Sequence, residues 1–151
     1  MKKYFRTLLL LLLGMLVAIS GVSIKRISDI RDYGKLINYV GIVRGASQRV
    51  VKLETNGRPD DELTAYVEGI LNELITGQGV YGLVLADCRQ YQLDLDLLKD
   101  QWDHVKKEIG EVRQGARADA LIDSSEKLFE IANDTVFTIE QYSGELAEKT
   151  G

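Results

Sequence analysis

Residues 7 to 24 carry no charged side chain: Thr7, six consecutive leucines from Leu8 to Leu13, then a mostly apolar run ending at Ile24. Eighteen such residues come close to the ~20 that a helix needs to cross a bilayer. Basic residues flank the run, with Lys2, Lys3 and Arg6 before it and Lys25 and Arg26 after it. The excess on the N-terminal side predicts a cytoplasmic tail at 1–6 and export of everything after Ile24. Ala18-Ile19-Ser20 before Gly21 also fits a cleavage site, so 7–24 reads as a retained signal-anchor or as a signal peptide. Either reading places residues 25–151 outside the cytoplasm, with the anchor form a single-pass protein of the cytoplasmic membrane.

A chain of 151 residues predicts one domain beyond such a segment. One proline and few aromatic residues argue against a small all-β fold, which needs many turns. The single cysteine, Cys88, excludes an internal disulfide framework and a cysteine-based zinc site. The single histidine, His104, leaves little room for histidine-dependent catalysis. Charge is unevenly spread. Residues 25 to 52 hold seven basic and two acidic residues, whereas 53 to 151 hold nine basic and twenty-one acidic ones. The acidic remainder argues against nucleic acid as a partner. The basic stretch can pair internally or offer an anion site.

The apolar periodicity is helical throughout. Residues 27 to 53 read as one helix, about 40 Å long, continuous with the apolar segment. Thr55-Asn56-Gly57-Arg58 stops it, and Pro59 with Asp60, Asp61 and Glu62 opens a second helix. That helix shows a stripe of Leu63, Tyr66, Val67, Ile70, Leu71, Leu74 and Ile75, ending at Gly77-Gln78-Gly79. Residues 80–85 are apolar and fit either a buried loop or an extra helical turn. A third helix from about Asp87 to Gln114 carries the heptad seam Tyr91, Leu95, Leu98, Trp102, Val105, Ile109, Val112. A fourth carries Leu121, Ser125, Leu128, Ala132, Thr135, Ile139, Tyr142 and Leu146, flanked by Ile122, Phe129 and Val136. Trp102 and Phe129 are expected in the core, and His104 at the surface. The predicted class is all-α: an antiparallel up-down four-helix bundle, with helix one continuous with an N-terminal transmembrane helix.

Helix one departs from a plain core pattern. It has two adjacent seams: Ile27, Ile30, Gly34, Ile37, Gly41, Arg44, Gln48, Val51, and Leu36, Val40, Val43, Ser47, Val50. Such a helix can pack on two partners, its own bundle and a second copy. Gly41 and Gly45 would let another backbone come close. Arg44 lies between them, and a guanidinium there needs a carboxylate or another anion. An acid of helix three or four and a bound ligand are both open as its partner. Arg49 points about 140° away from Arg44 on the helix wheel, which predicts a solvated or ion-paired residue.

The spacing Asn38-x-x-Gly41-x-x-Arg44-x-x-Ser47-x-Arg49 resembles the first-helix signature of the extracytoplasmic sensor domains of nitrate/nitrite sensor kinases and type IV pilus chemotaxis transducers. The wider run from Ile37 to Glu54 is also similar to sensor regions of bacterial diguanylate cyclases with GGDEF output domains. The resemblance implies a dimeric four-helix bundle that binds a small anion, nitrate- or nitrite-like, across a homodimer. It implies that Arg44 binds the anion, with one arginine from each subunit, and that Gly41 allows the close approach. Asn38, Ser47 and Arg49 share the motif and, with Gly45 beside Arg44, complete the expected ligand-binding set. Gly45 and Gln48 stand where nitrate sensors carry a bulky apolar residue and an aromatic, so the implied ligand is a small anion rather than nitrate specifically.

No phosphate loop, nucleophile elbow or zincin motif is present. Asp94, Asp96, Asp100 and Asp103 lack the glycine turn and glutamate of an EF-hand loop, so they predict a solvated face rather than a metal site. The expectation is therefore no enzyme activity, no metal and no cofactor in this chain. Its function is expected to be the ligand-sensing input domain of a bacterial transmembrane signalling receptor, cut short before a second membrane helix and output domain. The alternative is a membrane-anchored helical bundle that binds a partner without a small ligand.

Overall fold

The computed structural model describes residues 2–148, except for the side chains of residues 2, 3 and 24–30. Among the described residues there are four helices and no strand: α1 (Lys2–Thr55), α2 (Asp61–Thr76), α3 (Arg89–Arg113) and α4 (Asp119–Glu148). The chain divides into two compact units, Met1–Asp32 and Tyr33–Gly151. The second unit begins at Tyr33. Ile27 and Ile30, expected on the first seam of helix one, lie outside the described side chains.

In the first unit, the stretch Tyr4–Ser23 is long and apolar enough to cross a membrane, and its side chains are exposed throughout. Exposed leucines in such a row demand an apolar surrounding. The coarse expectation of an N-terminal membrane-compatible helix therefore holds.

The second unit has one apolar core, to which all four helices contribute. The stripe of α2 buries Val67, Ile70, Leu71 and Leu74. The seam of α3 buries Tyr91, Leu95, Leu98, Trp102, Val105 and Ile109, and that of α4 buries Leu121, Ser125, Leu128, Ala132, Thr135 and Ile139. Each fully buried aliphatic side chain contributes roughly 1.5–3 kcal/mol. The last turns of α1 supply Leu36, Val40, Val43, Val50 and Val51.

Helix boundaries follow from the end groups. Asp60 caps α2 by accepting the Leu63 N–H at 2.9 Å, and Gly77 ends it in the left-handed region at φ 66°. The α3 start falls at Arg89, two residues beyond Asp87, with Cys88 in extended backbone as its cap. Residues 80–85 form neither a helical turn nor a uniformly buried loop. Leu83 is buried, whereas Val80 is 90 % exposed.

Bonds between helices fix the register. From α1 to α4, Gln48 donates to the Ser125 carbonyl and hydroxyl at 2.9 Å, Arg44 donates to Asn133, and Tyr33 meets Tyr142 edge to face. From α3 to α4, Gln101 donates to the Ser124 carbonyl, and Thr138 donates to Asp94. From α2 to α3, Glu68 accepts from Trp102 and Lys106, and Asp61 from Arg113.

Candidate functional site

The two seams of α1 separate in the structure. Leu36, Val40, Val43, Ser47 and Val50 are fully buried, whereas in the first seam only the last member, Val51, is buried, Ile37, Gly41, Arg44 and Gln48 are half-buried and Gly34 is exposed. The second seam therefore serves the core of its own unit, and the first faces the edge of α4. A Cβ built at Gly34, Gly41 or Gly45 would meet nothing within 4 Å, so this strip of backbone is open.

Arg44 lies in the middle of the strip. Its Nη1 donates to Asn133 Oδ1, and its guanidinium sits over the Phe129 ring at 5.5 Å from the centroid. Among the described residues it has no carboxylate partner, so the expected pairing with an acid of helix three or four is not what the structure holds. An amide oxygen and a ring face are weaker counterparts to a cation than a carboxylate. Four of the five guanidinium N–H donors are left without a protein acceptor among the described residues. Phe129, expected in the core, is 38 % exposed, because it supplies its face to Arg44 rather than filling the interior. Phe137, two turns further along α4, is 59 % exposed.

The other motif residues divide into groups. Ser47 is buried and donates to the Arg44 carbonyl at 3.0 Å, a back-bond within α1 that leaves no hydroxyl hydrogen for a ligand. Asn38 and Gly45 are exposed, and Gly41 is half-exposed. Arg49 is exposed on another side of α1, where it lines a separate cleft at the α1–α2 turn together with Arg58. Gly41, Arg44 and Gly45 are thus brought together on one strip, and Arg49 is not.

A second cluster escaped the sequence reading. Glu73 is almost fully buried, yet both its oxygens are engaged by main chain: Oε2 accepts the Tyr81 N–H and Oε1 the Leu83 N–H, each at 2.8 Å. Burial pushes its carboxyl up, but the N–H groups of Leu83, Tyr81 and Gly82 and the charge of Lys35 outweigh this and hold it below the ordinary value. From α1, Lys35 donates to the carbonyls of Tyr81 and Gly82. Tyr81 is flanked by the rings of Tyr39 and Tyr66. The spacing of Gly77, Gly79 and Gly82 was the available signal that a chain passes here at close quarters.

A third cluster surrounds the buried indole of Trp102, whose Nε1 donates to Glu68 at 2.9 Å. Lys106 and Lys99 converge on the same carboxylate at 2.6 and 3.2 Å, and both reach Asp103. Burial pushes the Glu68 carboxyl up, but the two ammonium groups outweigh it and hold it low. Of the acidic run, Asp103 is therefore an ion-pair member and Asp94 a partner of Thr138. No cluster of metal-ligand type occurs among the described residues. His104 is mostly exposed and contacts Glu108 at 3.1 Å.

No family model, curated protein or solved structure matches the chain.

Proposed function

We propose that this chain is the ligand-sensing input domain of a transmembrane signalling protein, and that it binds a small anion at Arg44 across a homodimer. The observation that carries the reading is the state of Arg44. It is a half-buried guanidinium with one amide acceptor, one aromatic face and, among the described residues, no carboxylate, beside the open backbone of Gly41 and Gly45. Two such strips facing one another would bring two like charges together. A small oxyanion between them would offset the repulsion with charge-assisted bonds from both guanidiniums. Arg44 and the apolar stretch Tyr4–Ser23 belong to the same helix, α1, so a shift of Arg44 on binding has a route toward the membrane.

We infer an antiparallel up-down four-helix bundle as the frame of this device. Support comes from the register of the bonds: partners on α4 fall in number, from Tyr142 to Asn133 to Ser125, as those on α1 rise from Tyr33 to Arg44 to Gln48. The short α1–α2 and α3–α4 connections fit the same arrangement.

The test uses the full chain in detergent micelles, with unfolding followed by the fluorescence of Trp102, the one tryptophan. Nitrate, nitrite, sulfate and acetate are titrated in turn. A ligand that binds only the folded state raises Tm with concentration. The expected result is a rise with at least one oxyanion that disappears in Arg44→Ala. No rise with any of them, or an equal rise in the variant, would overturn the reading. The outcome would then favour a membrane-anchored bundle that docks a protein partner, for which the exposed ring of Phe137 on α4 is the supporting feature.

A further inference from the structure

The cleft that Arg49 lines is separate from the Arg44 strip and has its own chemistry. Its volume is about 420 Å³, within the range of small-molecule sites. One wall is the last part of α1, with Arg49 and, one turn on, Leu53; the other is the start of α2, with Asp60 and Glu62. Arg58 and Pro59 close it. The turn between the walls is held by main-chain bonds, from the Arg58 N–H to the Leu53 carbonyl at 2.9 Å and from the Gly57 N–H to the Glu54 carbonyl at 3.0 Å. Arg58 is thereby fixed beside the turn of α1 that carries Leu53.

Among the described residues, neither Arg49 nor Arg58 has an ion pair or a side-chain hydrogen bond, although three carboxylates line the same cleft. Two of those acids are engaged elsewhere. Asp60 uses Oδ1 to cap α2, and Asp61 is taken by Arg113, which also holds the buried Glu54. Glu62 is exposed and, among the described residues, has no ion pair or side-chain hydrogen bond. The cleft therefore offers two unanswered guanidiniums together with an unanswered carboxylate and the unused Oδ2 of Asp60. A simple anion would meet the repulsion of the acids, and a simple cation that of the arginines. A molecule carrying both charges satisfies both.

We propose that this cleft binds a free α-amino acid, with Arg49 and Arg58 taking its carboxylate and Glu62 and Asp60 taking its ammonium group. Guanidinium presents paired donors suited to a carboxylate, and the carboxylates accept the ammonium hydrogens. The side chain of the amino acid lies along Leu53 and Pro59, the apolar part of the lining.

Isothermal titration calorimetry on the full chain in detergent micelles tests this, with glycine, L-alanine, L-glutamine and L-glutamate as probes. N-acetyl-L-alanine and L-alaninamide, each lacking one of the two charges, are titrated beside them. The expected result is saturable binding of at least one free amino acid and none of either blocked compound. Affinity falls about tenfold or more in Arg49→Gln, Arg58→Gln and Glu62→Gln, as the loss of a charge-assisted bond implies. These positions are exposed, and an unchanged Trp102 melting curve verifies that each variant is folded. Arg44→Ala leaves the binding unaltered. Absence of saturable binding by all four amino acids, equal affinity for a blocked compound, equal affinity in the Arg49 and Arg58 variants, or loss of binding in Arg44→Ala would each overturn the proposal. Of these results only loss of binding in Arg44→Ala bears on Arg44, where it would place the carboxylate; otherwise the anion reading is judged by its own oxyanion titration.

Discussion

Glu73 shows how a charged residue can be almost wholly removed from water without an ion pair at contact distance. Its stabilisation comes from main-chain N–H groups, which are fixed donors that a carboxylate accepts strongly. The arrangement leaves no room above it. A Cβ at Gly79 would fall on the Glu73 carboxylate, so Gly79→Ala forces either the side chain or the loop to move. The expected cost is roughly 1–3 kcal/mol, that of overpacking a tight site. Urea unfolding checks it, through a lower midpoint at unchanged slope; wild-type stability would mean that the carboxylate does not lie under the loop. The spacing of Gly77, Gly79 and Gly82 hints at a close approach, but read as a helix stop, Gly77-Gln78-Gly79 does not say that the group approached is the Glu73 carboxylate. Arg44 illustrates the converse. The sequence shows that its charge needs a counterpart, but Asn133 and Phe129 lie some ninety residues along the chain, and spacing on one helix says nothing of what the facing helix presents.

At the scale of elements, α2, α3 and α4 were readable because their apolar residues repeat at the period of the helix and bury one stripe each. The starts were readable where a side chain makes the cap and less so where it does not. Asp60 caps α2 with its carboxylate, whereas Cys88 caps α3 with backbone conformation alone, and the start expected near Asp87 falls at Arg89. Asp60→Ala is therefore expected to cost about 1 kcal/mol and to lower Tm by a few degrees, measured by thermal unfolding. A Tm equal to that of the wild type would show the cap to be dispensable. Periodicity also failed at 80–85, since an apolar run with no helical or strand partner carries no periodic signal. Its conformation is set by Glu73 and Lys35 from two different helices.

At the scale of the whole molecule, several carboxylates hold their charge through contacts that exist only in the fold. Glu73, Glu68 and Asp103 all lie below their ordinary values. A carboxyl lowered by folding contributes stability that is present above its unfolded value and lost as pH falls through its folded one. For the two glutamates that loss begins near their ordinary value of 4.5. Lys99 and Lys106 are raised by the same network, because the hydrogen bonds and charges of Asp103 and Glu68 outweigh their burial. Their contribution is complete below 10.5 and lost above it as pH rises through the folded value. Thermal melts across pH are thus expected to show a plateau between these limits, with Tm falling on the acid side and on the alkaline side. The alkaline fall shrinks with added salt, because the lysine network is partly exposed. A Tm that stays flat from about pH 5 to about pH 3 would contradict the assignment.

The α2–α3 loop has one further consequence. Glu73 and Lys35 grip it through N–H and carbonyl groups that every residue but proline possesses, while Val80, Val84 and Leu85 stand outward. Its shape is thereby uncoupled from the identity of its outward residues. Substitutions at Val80 and Val84 are therefore expected to leave the path of the loop intact, and an engineer can display a foreign peptide at the same two positions.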